Sequence, residues 1–174
     1  MSTLPLHGRV ALVTGGARRT GRSIALALAG AGADLVIHYN QSASEAEAVV
    51  AEVEAMGRRA LAVAADLADA EATATAFRAA GERLGRLDIL VNNACGILWK
   101  RLEDTSAAEW HTAVEQTLHI TVHACQAVLP VMRSQGFGRI VSLIDVDADS
   151  LRAVPALTPY KIGKTGVLML TRTL

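Results

Sequence analysis

Two groups of residues in this 174-residue sequence have types and spacing that could do chemistry. The first is Tyr160 and Lys164, four apart in a stretch of helical pattern, so that both side chains share one helix face. A phenol titrates near pH 10 and is a poor acid or base at neutral pH. An ammonium on the same face favours the phenolate and brings the group into use. A tyrosine packed at an interface beside a solvated lysine has the same spacing, so the pair alone leaves both readings open. Asp145 is a third candidate, because a carboxyl desolvated at the end of a strand has a raised pKa and can donate a proton or hydrogen bond. Asp147 and Asp149 nearby suit a solvated turn equally well, and Ser142 or Ser150 could supply a hydroxyl instead.

The second group is a glycine-rich run, Gly15-Gly16-Ala17-Arg18-Arg19-Thr20-Gly21, directly after the apolar Val10-Ala11-Leu12-Val13-Thr14. Glycines there allow positive φ and close approach of backbone to ligand, and the free amides of a following helix favour a pyrophosphate. An ordinary turn with incidental glycines is the alternative. A dinucleotide site that takes NAD places a carboxylate about 20 residues past the glycines to accept from the ribose 2′-hydroxyl. Here that position reads His38-Tyr39-Asn40-Gln41-Ser42, with no carboxylate. Arg18 and Arg19, with Asn40, Ser42 and the amino end of the next helix, could instead hold a 2′-phosphate, so the pattern predicts NADP(H) in preference to NAD.

These groups need a scaffold that brings a strand end, a turn and a helix face together, and the rest of the sequence supplies one. Apolar, β-branched segments alternate with helical ones, which predicts an α/β fold: a Rossmann-type, doubly wound parallel sheet with helices on both faces. Strands are expected at 9–14, 33–38, 59–65, 87–91 and 138–144, and helices at 22–31, 42–56, 69–84, 106–134 and 159–174. Ser42 should cap the second helix, with Glu45 three residues on, and Pro130 should bend the last turns of the long one. A single NADP-binding domain over residues 1–174 is expected. The last helix has no stop signal, so further chain is expected beyond it.

A formal net charge of +0 offers no general attraction to nucleic acid or to an anionic membrane. No leader or membrane-spanning run is visible, which predicts a cytoplasmic location. Cys95, Cys125 and the histidines lack ligand spacing, so no metal is expected.

Thr14 to Gly21, Asp66-Leu67, Asn92-Asn93-Ala94 and Tyr160-Lys161-Ile162-Gly163-Lys164 together resemble, in order and spacing, the short-chain dehydrogenase/reductase family. The resemblance implies that Asp66 and Leu67 line an adenine pocket, that Asn93 and Ala94 border ribose and nicotinamide, and that Lys164 holds the ribose hydroxyls. Tyr160 would hand a proton to the substrate as the nicotinamide delivers hydride. Arg19, the His38-Tyr39 strand ending with Ser42 behind it, and Asp145 where most relatives have the catalytic Ser resemble the pteridine reductase branch.

The departures are specific. Cys95 replaces the family's glycine, and Thr117 the Asn that anchors a relay water. Ile97 replaces an aromatic that stacks on a pterin, with Trp99 as a possible substitute, and the Asp145 to Tyr160 spacing is two residues longer than usual. The resemblance also implies a homo-oligomer, dimer or tetramer, built on the long helix and the final helix. The expected function is NADPH-dependent reduction of a carbonyl or imine, pteridine-like in class. The alternative is a non-catalytic NADP-binding partner subunit or an inactive fragment of such a reductase.

Overall fold

The computed structural model describes residues 4–174. Five strands, β1 (Val10–Val13), β2 (Asp34–Tyr39), β3 (Ala60–Ala64), β4 (Ile89–Asn92) and β5 (Arg139–Ser142), form one sheet in the order β3-β2-β1-β4-β5. All four pairings are parallel. The helices are α1 (Arg19–Gly30), α2 (Ala43–Ala55), α3 (Ala70–Leu84), α4 (Ala107–Val114), α5 (Ile120–Ser134) and α6 (Thr158–Thr173).

Strand β1 explains the two-sided layering. Its side chains alternate faces, and all four are fully buried. Ala11 and Val13 join Ala25 and Ala29 of α1 and Val49 and Val53 of α2 in one core. Val10 and Leu12 join Phe77 and Ala80 of α3 and Ala124 and Val128 of α5 in the other. The expected doubly wound sheet is the one observed. Strand order reverses at β1, whose neighbours are β2 and β4, and the crevice outside the carboxyl ends at such a point is where ligands bind in open α/β sheets.

Several local details differ from the sequence expectation. Helix α1 begins at Arg19, three residues early, so Thr20 and Gly21 belong to its first turn. Ser42 precedes α2 but its side chain makes no cap bond. Glu45, the intended partner, is drawn to the Ser44 hydroxyl (3.0 Å) and the Arg18 guanidinium (3.6 Å). The long helix opens at Ser106 as expected, with Ser106 and Glu109 forming a reciprocal capping box, but it is divided by a π-helical turn at Glu115–His119. Pro130 lies inside α5, which continues to Ser134. Strand β5 stops at Ser142 because β4 ends at Asn92, and Leu143 makes the last bond to the Asn92 carbonyl (2.9 Å).

Candidate active site

A cleft of roughly 1070 Å³ opens at the carboxyl ends of the strands. All residues expected to touch a cofactor line it: Gly15, Arg18, Arg19, Thr20 and Gly21 from the glycine turn, His38, Tyr39, Asn40 and Ser42 after β2, Asp66 and Leu67 after β3, Asn93 and Ala94 after β4, and Tyr160 and Lys164 on α6.

The floor is built by close backbone packing. Gly15 has φ +61, and a Cβ on Gly21 would stand 2.1 Å from the Gly15 carbonyl oxygen, so both positions require glycine. His38 is buried and T-stacked on Phe77. Its Nδ1 accepts from the Gly15 amide (3.1 Å), which assigns the proton to Nε2, 3.1 Å from the Ala65 carbonyl. Burial lowers the His38 pKa to about 4, so it is a neutral strut under the turn.

Asn93 braces the same turn. Its side-chain amide donates to the carbonyls of Thr14 (2.9 Å) and Gly15 (3.2 Å), while the Asn93 and Ala94 backbone amides both donate to the Thr14 hydroxyl. Thr14 was missed as a site residue. Its signal was its place as the last residue before the glycines.

No side chain caps α1 and no acidic residue occupies its first turn, so its positive end faces the cleft unopposed. Arg19 stands there at φ +48, a left-handed conformation rare outside glycine. A dinucleotide pyrophosphate fits this arrangement of glycine floor, uncapped helix end and flanking guanidinium groups. At the far rim, Asp66 is used locally, its Oδ1 accepting from the Ala68 amide (3.0 Å).

Tyr160 and Lys164 come together on α6, but not as the spacing predicted. The Lys164 side chain is only 4% exposed, its ammonium donates to the Leu143 carbonyl (2.6 Å) and it lies 6.0 Å from the centre of the Tyr160 ring. The Tyr160 pKa is raised rather than lowered, first by burial and then by Cys95 and Asp145. The expected depression is therefore corrected: burial outweighs it, the lysine's hydrogen bond goes to a carbonyl rather than to the phenol, and the tyrosine is neutral.

Asp145 is corrected too. It lies in the turn after β5 rather than at the strand end, and it is absent from the cleft wall. Its carboxylate is mostly buried and is ion-paired with Lys161. Neither alternative hydroxyl lines the cleft: Ser142 accepts from Asn92 Nδ2 (3.2 Å) and Ser150 donates to the Asp147 carbonyl (3.2 Å).

The cleft wall also includes Cys95, Gly96, Ile97, Glu115 and Gln116. Ile97 is 61% exposed, and Trp99 does not line the cleft and so does not substitute for the missing aromatic. Thr117 is fully buried in the π turn, its hydroxyl donating to the Ala113 carbonyl (2.6 Å). Among the described residues no group of three His, Cys, Asp or Glu could hold a metal ion, and no helix is long and apolar enough to cross a membrane.

The short chain dehydrogenase profile matches residues 9–174. The chain belongs to the short-chain dehydrogenase family. This short-chain dehydrogenase is 36% identical over 181 residues to an uncharacterized NAD-dependent oxidoreductase of Mycobacterium tuberculosis, with 97% of this chain and 66% of the relative covered. It is 34% identical over 169 residues to 1,6-dihydroxycyclohexa-2,4-diene-1-carboxylate dehydrogenase of Pseudomonas putida, covering 97% of this chain and 60% of that one. Among solved structures, a short-chain dehydrogenase from Burkholderia cenocepacia J2315 in complex with NADP superposes with a TM-score of 0.88 at 37% identity, covering 97% of this chain and 67% of the other. The chain thus spans 66% and 60% of the length of these two curated relatives. Members of the family are oxidoreductases that use nicotinamide cofactors.

Proposed function

We propose that the chain is the NADP(H)-binding domain, over residues 1–174, of an NADPH-dependent reductase that acts on a carbonyl or imine, with Tyr160 as proton donor. The observation that carries the reading is the convergence of the glycine turn, the Arg18 to Ser42 rim and the Tyr160–Lys164 pair on one cleft.

Arg18 and Arg19 would hold the 2′-phosphate, with Ser42 free to donate because its hydroxyl is not used in capping. The Arg18 pair with Glu45 is solvent-exposed and weak, so a phosphate dianion displaces it at little cost. When bound, the nicotinamide supplies the hydride. Tyr160, neutral at working pH, gives its proton to the substrate oxygen or nitrogen as the carbon takes the hydride. Lys164 holds the ribose and shares its charge with the phenolate so formed.

The substrate class includes pteridine-like rings. Ile97 in the wall means that such a ring would be held by aliphatic contact and edge hydrogen bonds rather than by stacking. We place the protein in the cytoplasm as a homo-oligomer, dimer or tetramer, joined through α4, α5 and α6, where Ile162 and Met169 are exposed.

Titration with NADPH and NADH, followed by cofactor fluorescence, tests the reading. NADPH should bind at least about tenfold more tightly, the effect of a charge-assisted phosphate contact. Reduction of a carbonyl or dihydropterin panel should be lost in Tyr160→Phe with cofactor affinity kept. Equal affinity for the two cofactors would reject the phosphate assignment, and an active Tyr160→Phe variant would reject the proton donor.

A further inference from the structure

Lys161 has no part in the function just described, yet it is one of the best-buried cations in the molecule. Its side chain is 13% exposed and sits between two carboxylates of the loop after β5: it is ion-paired with Asp145, itself 20% exposed, and lies 3.7 Å from Asp147. Asp147 is met from its other side by Arg152 at 3.8 Å. Lysine loses more side-chain entropy than most residues when ordered, so a lysine held this way is held by charge. The start of the loop is tied to α6 by the Lys164 ammonium on the Leu143 carbonyl, and its end to the segment after β4 by the Lys100 amide on the Ala156 carbonyl (2.8 Å). Between them the backbone bond is local, from Ala148 to the Asp145 carbonyl, and Leu151 adopts φ +55, so the Lys161 pair is the charged tie of this middle stretch to α6.

The position of this pair matters because Tyr160 is the next residue. The charged and titratable groups about the phenol are Cys95 from the segment after β4, Asp145 from the loop after β5, Lys164 on its own helix and Glu115, which lines the same cleft from the π turn. Asp145 is the one among them whose negative charge opposes formation of a phenolate and which also carries a direct countercharge. Lys164 makes no ion pair with Asp145, and its ammonium donates to the Leu143 carbonyl.

We propose that Lys161 is a positioning residue for the proton-transfer step: its ammonium neutralises Asp145 beside Tyr160 and ties the 145–151 loop to the helix that carries Tyr160 and Lys164. The proposal rests on Tyr160 as proton donor. Without Lys161, the bare Asp145 charge makes the phenolate left after proton transfer harder to form. The step then slows, and the pH at which Tyr160 ionises rises.

The test uses the fact that the chain has only two tyrosines, Tyr39 and Tyr160. Fluorotyrosine, whose phenol ionises at lower pH than tyrosine, is incorporated biosynthetically. Each ring is then titrated by fluorine NMR while Lys161 stays protonated, with Tyr39→Phe assigning the signals. Lys161→Met should raise the Tyr160 midpoint by about 0.5–1 unit, Lys161→Arg should leave it in place, and Asp145→Asn should lower it. In the Asp145→Asn background, Lys161→Met should have little further effect.

An unchanged Tyr160 midpoint in folded Lys161→Met overturns the proposal. If that variant does not fold, an unchanged midpoint in Asp145→Asn does so. Activity of Tyr160→Phe is a separate result: it would remove the proton-donor reading, while the fluorine titration still reports whether Lys161 controls the phenol.

Discussion

Two residues of the cleft are held in states that cost stability, and each gives a measurable consequence. Arg19 occupies left-handed space at φ +48, a cost of about 1–2 kcal/mol for a residue with a Cβ. Arg19→Gly should therefore leave the urea midpoint unchanged or higher while weakening NADPH binding by about tenfold or more, with NADH affinity unaffected. A parallel loss of both cofactors would mean that the side chain serves the turn and not the phosphate. His38 has a folded pKa lowered by burial to about 4, against 6.5 for a free histidine. The unfolded chain binds this proton first, so stability falls as pH drops from 6.5 toward 4, by about 3 kcal/mol across the window. Urea unfolding at pH 7 and pH 5 should show a steep dependence that flattens in His38→Gln. An equal slope in both proteins would show that the neutral strut is not what acid disrupts.

At the scale of elements, the π turn is the feature that shapes the reacting end. It breaks the α4–α5 run where α6 and the loop after β4 pack against it, each through a glycine. A Cβ on Gly163 would lie 2.7 Å from the Thr117 Cβ, and one on Gly96 would lie 2.2 Å from the Gln116 side-chain oxygen. Gly163 stands between Tyr160 and Lys164 on α6, so any displacement there moves both. Gly163→Ala would raise helix propensity on its own, but overpacking against Thr117 should win and destabilise the fold by about 1–3 kcal/mol. Chemical denaturation measures the loss, and Gly163→Ala with Thr117→Ser, which removes a clashing methyl, should recover part of it. The helix was legible from its period and from Ser106 with Glu109 behind it. The π turn was not, because one extra residue in a turn leaves the apolar pattern on either side intact.

For the whole molecule, the end of the sheet opposite the cleft carries the main buried charge. The Asp88 side chain is fully buried. It accepts from Arg9 (2.8 Å), from Arg86 through two bonds of 2.6 Å and from the Val10 amide (2.9 Å), so one carboxylate ties β1, the start of β4 and the turn after α3. Phe137 brings in the loop before β5, with the Arg9 guanidinium 3.8 Å above its ring. Burial pushes the Asp88 pKa up, but the bonds from Arg86, Val10 and Arg9 outweigh it and hold it below the usual 3.8. A depressed folded pKa means that this stability is fully present above pH 3.8 and lost as pH falls through the lower folded value. Asp88→Ala leaves two partly buried guanidinium groups and a buried amide unpaired and should cost about 3–5 kcal/mol, read as a fall in the denaturation midpoint. A loss under about 1 kcal/mol would show that the network only covers the sheet end.

The sequence by itself determined the layered α/β fold, the glycine turn at the first strand end and the order of the cofactor-facing segments. These follow from local rules: two-residue and 3.6-residue periods, glycine at positions that admit no Cβ, and turns at strand ends. Only the tertiary structure decided which charges meet. Lys164 was expected to act on Tyr160 and instead bonds the Leu143 carbonyl, 21 residues away along the chain. Asp145 was expected to face the cleft as a donor, and its carboxylate is paired with Lys161 instead. Ser42 makes no cap bond, and Glu45 is engaged by Ser44 and Arg18. Long charged side chains reach several ångströms and choose among whatever partners the fold brings near, so their pairing depends on the packed geometry of elements distant in sequence.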